Sequence, residues 1–315
     1  MKQKQLFSLG WMLSLVLLAS TLHAKATQLY MKAWGNPADP AVVFLHGGPG
    51  YNSATFELST AAKLASLHYY VIAYDQRGAA RSKDVKAKYT FSSYCKDLLS
   101  VYKHFKVKHA TLIGHSFGGA LALHFAASYP DKVDAIALVS APVRFPATFD
   151  AIRAHCREVY TAKNSPDLRY IDLLDTMDHS RLDYATYCFS HAMACGLYST
   201  KNPTPEAKEI AQAMLQQPEA KYLLESTIPP VKGFYNAHRY TTQDYSPLLK
   251  TVMARTPLIG IYGDEDGLFD APALTELEGW IGKDRFHVVQ GASHSVFIDQ
   301  QAQFLALIQG LVPAK

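Results

Sequence analysis

The chain has few cysteines, no block of basic residues and no internal repeat, and each shortage removes a class of function. Its four cysteines among 315 residues, Cys95, Cys156, Cys188 and Cys195, have no metal-ligand spacing, so a thiolate metal centre is not expected. Lys and Arg number 31 against 27 Asp and Glu, and two of the positive charges, Lys2 and Lys4, sit at the extreme N-terminus. The remainder is close to neutral and holds no Lys/Arg cluster that could track a phosphate backbone, which argues against nucleic acid as a partner. No low-complexity stretch interrupts the chain. What is present is a 49% hydrophobic composition, enough to bury one large core, alone or with a sizeable insertion.

The N-terminus reads as an export leader over residues 1–26. Lys2 and Lys4 form a basic start, Leu6 to Ala19 is apolar apart from Ser8, Gly10 and Ser14, and Ala24-Lys25-Ala26 has the small-x-small pattern of a cleavage site. The stretch is short for a membrane span, and no cysteine follows to carry a lipid. The mature protein is therefore expected to be exported, periplasmic or secreted, without stable membrane association. An uncleaved anchor is the alternative. In an oxidising compartment one disulfide among Cys156, Cys188 and Cys195 is expected.

From Gln28 onward strand-like runs alternate with helical ones. "AVVFLHGGPG" (Ala41–Gly50), "YYVIAYDQRG" (Tyr69–Gly78) and "HATLIGHS" (His109–Ser116) are apolar, β-branched runs ending in turn residues. "VDAIALVSAP", "TPLIGIYGDEDG" and "RFHVVQGASH" follow, and a helix over Gln300–Leu311 closes the chain. Such alternation predicts an α/β fold with a mostly parallel sheet covered by helices on both faces. Between Pro142 and Thr256 no convincing strand appears, and "FDAIRAHCREVY", "LRYIDLLDTMD", "LDYATYCFSHAMACGLY", "PEAKEIAQAMLQQ" and "EAKYLLEST" have helical period. The expected organisation is a core formed by 27–142 and 256–315, with a helical cap over 143–255 above the strands' carboxyl ends, where open α/β sheets bind ligands.

"LIGHSFGGA" (Leu112–Ala120) places Ser116 between a β-branched strand and an amphipathic helix. On such a nucleophile elbow the hydroxyl projects above the sheet, and Gly114 and Gly118 are needed where strand and helix backbones crowd. A serine hydroxyl needs a base, usually a histidine held by a carboxylate. Of the 13 histidines, His294 in "VVQGASHSVF" follows the last strand. His46 and His115 adjoin the glycine loops and read as structural, and His287 lies inside a strand. "GIYGDEDGLFD" offers Asp264, Glu265, Asp266 and Asp270; the Gly263-x-x-Asp266 spacing favours Asp266, with Asp264 next. The backbone N–H of Phe117, at a helix start, and that of Gly48 in "HGGPG" are the candidate oxyanion donors, Pro49 having no N–H to offer. No cofactor or metal is required by this set.

The motifs "HGGPG", "YDQRGAARS" and "GHSFGG", a GxxD and a late "GASH", with a helical block between, resemble the proline iminopeptidase family of α/β-hydrolases from about Gln28 to the last helix. The order Ser…Asp…His is that of the same superfamily. The resemblance implies the α/β-hydrolase fold, a first strand missing from this chain, and a non-catalytic "DQRG" (Asp75–Gly78) beside the oxyanion hole. Some positions depart from the family. Phe117 stands where tryptophan is usual, Ala80 where glycine is, and Tyr51 where another glycine is common. "VKGFYNAHRY" lacks the glutamate that family members use to hold a substrate amine, while Glu206, Glu209, Glu219 and Glu225 read as solvated helix charges. The function expected first is an exported aminopeptidase working through an acyl-enzyme on Ser116. The alternatives are a small-molecule carboxylesterase or lactonase on the same residues, and a hydrolase fold that only binds a ligand. The partner is a small molecule or short peptide; oligomeric state stays open.

Overall fold

A computed structural model describes residues 29–83 and 88–312, so the expected leader lies outside the described residues. Seven strands form one sheet among the described residues: β1 (Met31–Trp34), β2 (Ala41–Leu45), β3 (Tyr70–Tyr74), β4 (Ala110–His115), β5 (Val133–Val139), β6 (Leu258–Gly263) and β7 (Phe286–Val289). Their spatial order is β1-β3-β2-β4-β5-β6-β7. All neighbours are parallel except β1, which runs antiparallel to β3 with Met31 opposite Tyr74. This is the expected mostly parallel sheet. The edge strand β1 was not expected: "MKAW" is four residues long, half-buried and interrupted by the exposed Lys32, so it gives no apolar run.

The central strands β2, β3 and β6 carry no charged residue and are buried almost throughout, because both faces of the sheet are covered. In β2, Val42 and Phe44 join one core with Phe297, Phe304 and Ile308, while Val43 and Leu45 join the other with Leu98, Leu121 and Phe125. That two-residue alternation is the pleat itself. The helix Phe117–Ser128 is buried nearly all round, as its Gly, Ala and Leu content allows.

Between β5 and β6 the described chain is helical, with helices Phe145–Ala162, Leu168–Thr176, Leu182–Ala194, Pro205–Leu215 and Ile228–His238. The fifth was hidden in sequence by Pro229 and Pro230. Both fall in its first turn, where a missing N–H leaves no helix bond unmade. The insertion is tied at its root, where Tyr245 N donates to Val143 O at 2.8 Å and Phe145 N to Gln243 O at 3.0 Å. The helix Ser246–Met253 lies past that root and packs on Phe117–Ser128. The insertion covers the carboxyl ends of the strands: Thr227 N donates to Gly50 O, Gly267 N to Leu197 O, and Phe234 stacks edge-on against Phe117.

All four cysteines are free thiols, so the expected disulfide is not formed. Cys156 and Cys188 are fully buried between insertion helices and act there as small apolar side chains. No helix of the described residues is long and apolar enough to cross a membrane.

Candidate active site

Ser116 occupies a sharp turn between β4 and the helix Phe117–Ser128, with φ 53° and ψ −127°. A non-glycine residue rarely holds a positive φ, and tertiary contacts hold it here. Ser116 N donates to Val139 O at 2.9 Å, and the neighbouring backbones leave no room for side chains. A Cβ on Gly118 would lie 2.0 Å from Leu45 O, and one on Gly114 2.7 Å from the Gly119 Cα. Both glycines are thus fixed by packing, as the sequence suggested.

The "HGGPG" loop crosses directly above this turn. A Cβ on Gly47 would lie 2.8 Å from Ser116 Cβ and 3.3 Å from its Oγ. Gly47, unremarked in sequence, is therefore the loop glycine in contact with Ser116, while Gly48 turns the chain onward at φ 122°. Phe117 opens its helix directly after Ser116, so its N–H is one of that helix's orphan donors. His46 secures the loop: its Nε2 accepts from Gln76 N at 2.9 Å, leaving the Nδ1 proton for Gly47 O at 2.8 Å. Gln76 Nε2 returns a bond to His46 O. "DQRG" accordingly braces the loop and does not enter the site. Behind it Arg81 pairs with Asp75 at 2.7 Å and Glu57 at 2.6 Å, all three side chains nearly inaccessible. Burial works against the Asp75 charge, but its bond to Arg81 and the nearby charges outweigh that and hold its carboxyl below the usual range. Ala80 has φ 27°, which explains why glycine is usual at that position.

The structure distributes the carboxylates of "GDEDGLFD" among four different tasks. Asp266 Oδ2 lies 2.9 Å from His294 Nδ1, and its Oδ1 accepts from Leu268 N. Asp264 Oδ1 accepts from Gly291 N at 2.7 Å and so braces the turn leading to His294. Asp270 caps the helix Ala271–Ile281. Glu265 Oε2 takes Thr200 Oγ1 at 2.7 Å and Lys201 N at 2.6 Å, both from the insertion.

His294 is held beside the elbow from behind. His115 Nε2 lies 2.9 Å from His294 O, and since a carbonyl can only accept, that nitrogen carries the proton. Burial above all, then the adjacent His294 ring, pushes the His115 pKa down to about 3, keeping it a neutral donor. Tyr198 of the insertion covers the base, its ring edge-on to the imidazole at 5.2 Å. No hydrogen bond joins Ser116 Oγ to His294 among the described residues; in unliganded hydrolases this contact often tightens only with substrate. No group of three or more His, Cys, Asp or Glu among the described residues is arranged to hold a metal ion. The arrangement can present a hydroxyl, an oriented imidazole and backbone donors to one carbonyl group.

Sequence and structural comparisons agree with this geometry. A family model described as alpha/beta hydrolase fold matches residues 40–301. A proline iminopeptidase of Arabidopsis thaliana is 34% identical over 112 residues, covering 35% of this chain and 29% of that protein. The first of the curated relatives are matched over about a third of their length, 35% for three mycobacterial proteins. Among solved structures, the proline iminopeptidase-related protein from Thermus thermophilus superposes with a TM-score of 0.66 at 22% identity, covering 90% of this chain and 94% of that one. An esterase from Exiguobacterium antarcticum gives 0.60 at 18% identity, covering 90% and 95%. At these identities the likeness is one of fold.

Proposed function

The chain belongs to the α/β hydrolase fold family, and from that premise we propose that it is an exported serine hydrolase that cleaves small uncharged acyl esters through an acyl-enzyme on Ser116. In this mechanism Ser116 Oγ attacks the ester carbonyl as His294 Nε2 takes its proton, and Asp266 steadies the imidazolium through Nδ1. The oxyanion is met by the Phe117 N–H and by N–H groups of the "HGGPG" loop. His294 returns the proton to the leaving alcohol, and water then repeats the sequence to free the acid.

The observation that carries the ester reading concerns charge. An aminopeptidase must meet the substrate ammonium with a carboxylate, since a desolvated, unpaired cation costs several kcal/mol. The buried acids among the described residues are Glu57, Asp75, Asp97 and Asp266, each already paired with Arg81, Arg77 or His294, and none belongs to the insertion. Glu225, whose backbone bonds Asn52 just past the "HGGPG" loop, pairs with Lys83 at 2.6 Å. Phe117, next to Ser116 in the chain, packs edge-on against Phe234 and Tyr240, and Tyr240 against Phe145, so the insertion meets the elbow helix through apolar rings and not through charge. The aminopeptidase remains the second reading, favoured by the "HGGPG" and "DQRG" motifs and the Arabidopsis relative. Export rests on the Lys2–Ala26 pattern, and N-terminal sequencing should find the mature chain starting near Lys25 or Thr27.

The deciding experiment compares p-nitrophenyl butyrate with alanine p-nitroanilide and its N-acetyl derivative. The ester should turn over fastest, and acetylation of the amine should not lower kcat/KM. Cleavage of the free-amine anilide with rejection of the acetylated one would replace this reading with the aminopeptidase.

A further inference from the structure

One turn of the insertion is fastened to both loops that carry the acid and the base. Leu197 O accepts from Gly267 N at 3.0 Å, one residue past Asp266, and Tyr198 O lies 2.9 Å from Ser293 Oγ, one residue before His294. Thr200 Oγ1 and Lys201 N both donate to Glu265 Oε2. The Glu265 backbone also spans the two loops, its N–H donating to Ala292 O at 2.9 Å. Glu265 is therefore the junction of three segments, and between its ends the turn presents the Tyr198 ring to the imidazole.

We infer that Glu265 is a positioning residue: through the turn Leu197–Lys201 it couples closure of the insertion to the orientation of His294 against Asp266. This rests on the hydrolase reading of Ser116, Asp266 and His294. If the turn lifts, the Asp266 loop loses the bond to Gly267 N, the His294 loop loses that of Ser293, and Tyr198 leaves the ring. Base orientation and coverage of the site then change together. The two hydrogen bonds lower the Glu265 pKa, so the carboxylate that receives them is ionised at neutral pH. Asp264, which bonds the His294 loop alone, does not make this link.

The test uses the full mature chain and a fluorophosphonate, whose phosphonylation rate reports the acid–base machinery without a natural substrate. Hydrogen bonds to charged groups are worth about 10- to 100-fold in an equilibrium or rate. Glu265→Ala should slow labelling of Ser116 by about that factor, lower kcat for p-nitrophenyl butyrate more than it raises KM, and broaden the downfield proton resonance of the Asp266–His294 bond. Glu265→Gln keeps one carbonyl oxygen for both donors and should recover most of the rate. Thr200→Val, which removes one donor of the two, should give a smaller loss of the same kind and serves if Glu265→Ala fails to fold. A Glu265→Ala enzyme labelled at the wild-type rate, or slowed with that resonance unmoved, overturns the inference and leaves Ser116 in its role. Absence of any adduct on wild-type Ser116 overturns the hydrolase reading, and this inference with it.

Discussion

Lowering the pH below the ordinary histidine range puts a proton on unfolded His115 but not on the folded one. In the folded chain burial, the neighbouring His294 ring and the His46 ring push its pKa down to about 3, only partly opposed by its bond to the His294 carbonyl. The unfolded value is about 6.5. Between those values the unfolded state holds the extra proton, so stability rises with pH and is lost as pH falls through the window. Each pH unit there costs about 1.4 kcal/mol, about 5 kcal/mol across the window, against a total stability typically of about 5–15 kcal/mol. His46 and His124 are shifted in the same direction by burial, so the wild-type acid limb should be steeper than one histidine accounts for. His115→Gln supplies a neutral amide N–H for the His294 carbonyl without the titration. Urea unfolding from pH 7 to pH 4 should give a variant curve shallower than wild type by up to about 1.4 kcal/mol per pH unit below pH 6. Parallel curves would refute the reasoning, because they would mean folded His115 takes up its proton as readily as the unfolded chain does.

The two carboxylates flanking Glu265 separate cleanly. Asp266→Asn should lower kcat by about 10⁴-fold through loss of imidazole orientation. Asp264→Asn, which keeps an acceptor for Gly291 N, should stay within about tenfold; steady-state kinetics on one ester reads both, and the reverse order would make Asp264 the acid. Removing Arg81 strands two buried carboxylates, Asp75 and Glu57, so Arg81→Ala should destabilise by about 3–5 kcal/mol in urea, and a change below about 1 kcal/mol would mean the pair is not intact.

The elbow was legible because its requirements are local. A β-branched strand, glycines at Gly114 and Gly118 and a small-residue helix are each dictated within a few residues of Ser116, and the backbone distances at those glycines show why. The Gly263-x-x-Asp266 spacing likewise led to the carboxylate bonded to His294. The motifs "HGGPG" and "DQRG" that suggested an aminopeptidase lie in the core, and residue type alone did not say which acids of the insertion are buried or paired. Glu265 illustrates the same gap. Its neighbours in sequence are carboxylates, but its task is set by Thr200 and Lys201, some sixty residues away, and nothing near it in the chain encodes that pairing. β1 and the helix Ile228–His238 escaped because a short edge strand lacks an apolar run and because paired prolines mimic a break. Gly47 and Gly48 are equivalent as letters, and only the crossing of the loop over Ser116 distinguishes them.

Peptide mapping of the protein after reaction with a fluorophosphonate tests the central claim most directly. A single adduct on the peptide holding Ser116 is expected, with none in Ser116→Ala and a rate cut by orders of magnitude in His294→Ala. An adduct that persists in Ser116→Ala, or that maps to another residue of the wild-type chain, would contradict it.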